Sequence, residues 1–113
     1  MLSTGCIVIT EEEVDRVLHY LLDSAEESAR KRSERLYLED FSRSIKAQIQ
    51  SEHLAERLGA QERYAYSDIR YRNHLAALKH AIFEDERARF LRDAAMVKLD
   101  LYRTQCANDR GKL

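Results

Sequence analysis

The sequence predicts an all-α protein built as a long antiparallel helical hairpin, coiled-coil-like and self-associating, with a short non-helical segment at its N-terminus. Three observations predict it. Pro is absent and Gly occurs only at Gly5, Gly59 and Gly111, so almost nothing ends a helix or makes a tight turn. Apolar residues recur at steps of three and four on both sides of one interruption near residue 60. A charged fraction of 35% beside 44% hydrophobic residues suits long helices with broad wet faces, and is too apolar for general disorder. At 113 residues the chain is expected to be a single domain, 1–113.

Residues 1–10 are expected to precede the first helix. In "ITEEEV", Thr10 caps the helix, Glu13 reaches back as its capping-box partner, and Ile9 packs on Val14 as a hydrophobic staple. Glu11, Glu12 and Glu13 lie at the positive end of the helix dipole, which explains the acidic run without a metal. The first helix is predicted over 11–56. Its stripe is Val14, Val17, Leu18, Leu21 and Ala25, resuming at Leu38, Phe41, Ile45 and Ile49 after the polar "EESARKRSER". An elbow is predicted over 57–67, with Gly59 ending the first helix and Ser67 capping the next, followed by Asp68 in the first turn.

The second helix is predicted over 68–107, a rod of about 60 Å, with a short tail at 108–113. Its stripe is Tyr71, Leu75, Leu78 and Ile82, then Phe83, Phe90, Ala94, Val97 and Leu101 after a one-residue phase shift. Six acid-to-base pairs sit four residues apart in the favourable order: Glu12 with Arg16, Glu26 with Arg30, Glu27 with Lys31, Glu39 with Arg43, Asp68 with Arg72 and Asp85 with Arg89. Two helices burying one stripe each leave the hairpin short of contact area, so a homo-oligomer or another protein partner is expected.

Candidate chemistry is sparse. His19, His53, His74 and His80 include no pair spaced for one metal on a helix turn, and Glu84, Asp85 and Glu86 diverge around the helix rather than converge. There is no Gly-x-Ser-x-Gly elbow and no Gly-rich phosphate loop. A non-enzyme with no catalytic residue, metal or cofactor is therefore expected. Cys6 and Cys106 do not make a disulfide framework and read as unreactive thiols, although a hairpin brings them toward the same end. No segment reads as a signal peptide or membrane span, so no membrane partner is expected and the cytoplasm is the expected compartment.

The formal net charge of −1 gives no global attraction to nucleic acid, so any contact needs a local patch. In a hairpin, Arg30, Lys31, Arg32 and Arg35 come level with Arg87, Arg89 and Arg92, forming a candidate band for nucleic acid or an acidic partner. Neighbouring acids from Glu26 to Glu86 offer the alternative of a mixed-sign surface. At the elbow, Tyr64, Tyr66, Arg70 and Arg72 are candidates for a partner surface, since Tyr and Arg are favoured anchors and Tyr stacks on bases. The alternative is that Tyr71 opens the core stripe and the other tyrosines cover the hairpin end.

Across about residues 35–111, and in particular in "AYSD", "FEDERARFL" and "YRTQCANDRG", the chain resembles small helical proteins of tailed phages and prophages encoded near single-strand annealing recombinases. Related sequences often carry Trp where this one has Tyr102. The resemblance implies a phage protein of the host cytoplasm that is an accessory to DNA recombination, and the leading expectation is a protein that binds a partner such as a phage recombinase in DNA recombination or replication. A phage inhibitor of a host defence nuclease and a purely structural helical oligomer are the alternatives, the former with a host protein as its partner.

Overall fold

The structure, a computed structural model, describes residues 8–111. It is a helical hairpin of four helices: α1 Glu11–Asp23, α2 Ala25–Ser51, α3 Leu58–Ser67 and α4 Ile69–Gly111. The molecule measures 80 × 31 × 22 Å. α1 and α2 form one arm, α4 forms the other, and α3 packs at the turn, mainly against α2.

The first arm starts where the sequence places it. Thr10 Oγ1 accepts the Glu13 N–H at 3.2 Å and the Thr10 carbonyl accepts the Val14 N–H at 3.1 Å. Ile9 is 3% exposed, and its main chain is clamped from the far end of the sequence: its N–H donates to Gln105 Oε1 and its carbonyl accepts from Gln105 Nε2, both at 2.9 Å. One amide side chain thus ties the segment before α1 to the last turns of α4.

The arm predicted as one helix over 11–56 is two helices. The interruption is at Ser24, where φ −87° and ψ −6° tighten the backbone for one residue. The Ser24 N–H still donates to Tyr20 and the Ser28 N–H to Ser24, so α2 continues the line of α1. The polar stretch 26–35 lies inside α2 unbroken. The arm stops at Ser51 rather than 56, where Glu52 and His53 donate to the carbonyls three residues back, at Ile49 and Gln50.

The elbow also departs from expectation. Residues 58–67 are a helix, and Gly59 sits in its first turn without a left-handed backbone. Ser67 does not cap α4: its hydroxyl donates back to Arg63 at 2.7 Å, closing α3. Asp68 is the cap, extended at φ −69° and ψ 139°, with its carboxylate accepting the Arg70 N–H at 2.8 Å. α4 then runs four residues past the predicted end, through Gly111.

A continuous seam joins the arms. Along the first arm it comprises Val14, Val17, Leu21, Ser24, Ser28, Lys31, Arg35, Leu38, Ser42, Ile45 and Ile49, every one buried or half-buried. On α4 it comprises Tyr71, His74, Leu78, Ala81, Asp85, Ala88, Arg92, Ala95, Leu99, Tyr102 and Cys106, again all buried or half-buried. Both rows alternate steps of three and four, the spacing of a coiled-coil seam. The α4 row is small or polar where α1 and α2 are polar, and Ala81, Ala88 and Ala95 let the helices approach closely. Cys106 is a half-buried free thiol, whereas Cys6 lies outside the described residues.

Candidate functional site

The middle of the seam is a cross-helix ion network. Arg35 Nη1 donates to Asp85 Oδ2 at 3.2 Å and Glu86 Oε1 at 2.9 Å, while its Nε donates to Glu39 at 3.0 Å. Lys31 faces Glu84 at 3.4 Å. Arg92 reaches back to the Leu21 carbonyl at 3.3 Å, and Ser42 hydrogen-bonds His74 at 2.7 Å. The Arg35 guanidinium holds the Glu86 carboxyl below its usual range. Of the six intrahelical pairs expected from spacing, Glu26 with Arg30 forms, at 2.7 Å. Asp85 and Glu39 turn to Arg35, and Asp68 turns to Arg70.

This network divides the candidate basic band. Arg30 and Lys31 open on a cleft of about 460 Å³ that also contains Glu27, Glu34 and Glu84. Arg32, Arg89 and Arg92 converge on a second cleft of about 310 Å³, on the other side of the seam, beside Asp85 and Asp93. Arg35 lies in the seam with its carboxylates, and Arg87 points away with the outer face of α4. Three of the seven band residues therefore share one cleft, and acids stand among them.

At the elbow the candidate residues hold the turn together. Arg70 grips Glu52 with two hydrogen bonds, 2.8 and 2.7 Å, and Asp68 with two more, 3.0 and 2.9 Å. That places Asp68's carboxyl at about 2 and draws the Glu52 carboxyl below its ordinary range. Tyr64 stacks on His53 with centroids 4.0 Å apart and planes within 3°. Tyr66 accepts from Lys46 Nζ at 2.6 Å and meets Tyr71 edge-on at 5.5 Å. Tyr64 and Tyr66 keep about half their surface in solvent, and Arg72 is exposed.

Leu18, Ala25, Phe41 and Leu75 of the predicted stripes are exposed, and the remaining residues that sequence reasoning misplaces are on the other side of α4. Phe83, Phe90, Ala94, Val97 and Leu101, expected in the hairpin core, are all exposed, Phe83 by 61% and Phe90 by 65%. With the seam at heptad positions a and d, Ile69, Ala76, Phe83, Phe90 and Val97 fall at f, the position facing directly away, and Ala94 and Leu101 fall at the adjoining c. All are exposed. Phe83, Phe90 and Leu91, with the stems of Glu86 and Arg87, line an open groove of about 380 Å³ there. The signal in the sequence is an apolar residue every seventh position from Ile69 to Val97, running out of phase with the alanines of the seam.

Among the described residues no group of three His, Cys, Asp or Glu side chains could hold a metal ion, and no helix is long and apolar enough to cross a membrane. Compared with family models, curated proteins and solved structures, the chain matches none.

Proposed function

We propose that the chain is a non-enzymatic helical interaction protein that joins another helix through the outer face of α4. The carrying observation is the exposed seven-residue apolar repeat from Ile69 to Val97 on a helix already satisfied on its opposite side. Apolar rows of this length on a monomer mark contact surfaces, and this one has the spacing that helices use to pack on helices. The resemblance of "AYSD", "FEDERARFL" and "YRTQCANDRG" supports a setting in phage DNA recombination, in the host cytoplasm, as an accessory to an annealing recombinase.

The test is a binding comparison between the wild type and a Phe83→Glu, Phe90→Glu variant matched for helicity by circular dichroism. Both side chains are exposed, so the fold is expected to survive, while association, either with itself or with a co-encoded annealing protein, is lost. A variant that keeps all of the wild type's associations removes this reading.

A second reading has an observation of its own, the convergence of Arg32, Arg89 and Arg92 in one cleft. Phosphate contacts need local positive density of this kind. Salt-sensitive retardation of single- or double-stranded DNA that falls on Arg89→Ala would support it, and no retardation at low salt would end it.

A further inference from the structure

Building on the docking role of α4, we infer that the helix seated on its outer face is α4 of a second copy of this chain, running parallel and in register about a two-fold axis. The row Phe83, Arg87, Phe90, Ala94, Val97 and Leu101 alternates steps of four and three over the most apolar part of the face, so it has the form of a coiled-coil core. A two-fold axis makes such a row its own complement, each residue meeting its equivalent. The first arm lies on the far side of α4, so the two hairpins splay outward without obstructing the contact.

The flanking charges choose the direction. Lys79, Glu86, Asp93 and Asp100 border the row on one side, and Glu84, Leu91, Lys98 and Gln105 on the other. A parallel pair brings each residue of the first set to the residue five positions on in the second copy. Asp93 then meets the second copy's Lys98, and Lys79 meets the second copy's Glu84, which that copy's own Lys31 also holds, with no like charges opposed across the flanks. An antiparallel pair turns each flank against itself, setting Asp93 against Asp93 and both Glu86 residues against Asp100, repulsions that outnumber the two attractions it makes between Glu84 and Lys98. Asp93 and Lys98 form no ion pair among the described residues, and both are exposed. Arg87 is the one charged member of the row and meets the second copy's Arg87, a repulsion offset by Glu86 of the second copy beside each guanidinium. A single polar residue at a core position fixes register at some cost in stability.

The experiment uses the full chain. Sedimentation velocity is expected to show a dimer, weakened about tenfold or more by Lys98→Glu, which turns both Asp93 contacts repulsive, and restored by adding Asp93→Lys. In a Cys6→Ser, Cys106→Ser background, Val97→Cys is expected to give a disulfide-linked dimer on mild oxidation. An antiparallel pair would overturn the inference: Asp93→Lys would fail to rescue Lys98→Glu, because the two introduced lysines would face each other, and the thiols introduced by Val97→Cys would not cross-link. A monomeric wild type would overturn it too. If that monomer still binds an annealing protein and Phe83→Glu, Phe90→Glu abolishes the binding, the docking face stands and only its occupant is wrong. If the double variant changes neither association, both fail.

Discussion

Arg70 joins the end of α2 to the start of α4, because one guanidinium serves Glu52 from the first arm and the capping Asp68 of the second. Its presence makes the turn sensitive to acid. The Asp68 and Glu52 carboxyls lie below their unfolded values of roughly 3.9 and 4.3, so they stabilise the fold above about pH 4, and that contribution is lost as pH falls toward the Asp68 value of about 2. Carboxyl titration by NMR should place the Asp68 midpoint near 2 in the wild type and clearly higher in Arg70→Gln. Hydrogen exchange at the Arg70 and Arg72 amides should quicken over the same window. An unmoved Asp68 midpoint in the variant would show that the cap bond alone, without the ion pair, sets it. Local chemistry of this kind is partly legible: the capping signature identifies Thr10, whereas the sequence pattern puts Asp68 one position inside the helix. Ser and Asp are both good caps, and nothing in the sequence says that the Ser67 hydroxyl bonds back to Arg63.

At the scale of the helices, both arms are legible from their apolar steps, and so is the part of the seam made by Val14, Val17, Leu21, Leu38, Ile45, Ile49, Tyr71 and Leu78, but its polar middle and the α4 row beyond Leu78 are not. Lys31 and Arg35 fall at seam positions in the middle of a stretch that a hydrophobic pattern reads as solvated, and their partners Glu84 and Asp85 lie about fifty residues away in sequence. On α4 the same rule assigns the bulky residues to the core. Packing goes the other way, because alanines at Ala81, Ala88 and Ala95 opposite the polar seam bring the helices together and leave Phe83 and Phe90 outside. The network predicts an asymmetry in mutants. Arg35→Met leaves Asp85, 8% exposed, without its cation, and should lower the melting temperature. Adding Asp85→Leu removes the stranded charge and fills the layer with apolar volume, so the double variant should melt at or above the wild type. Thermal melts by circular dichroism decide it, and a double variant less stable than Arg35→Met would show that the seam needs its charges.

The whole molecule is drawn out, with a radius of gyration of 23.6 Å against about 13 Å for a compact chain of this length. Its core is correspondingly thin. Among the described residues the buried apolar set is Ile9, Val17, Ile49 and four alanines, and Ile49 is the largest side chain fully enclosed. On the proposed docking of α4, a hairpin with so little enclosed surface gains much of its stability from the helix that covers that face. If a second copy supplies that cover, folding and dimerisation are one equilibrium, and stability rises with protein concentration. For a dimer of this size a tenfold increase contributes about 1.4 kcal/mol, which corresponds to a rise in melting temperature of about 3 °C. The wild type should show that rise twice across a hundredfold dilution series, about 6 °C in all. Phe83→Glu, Phe90→Glu should melt lower and at one temperature throughout, since its folded state has no concentration term. A wild type whose melting temperature is flat over the series would mean that the apolar face contributes nothing to the stability of the isolated protein, leaving its cover to a different partner.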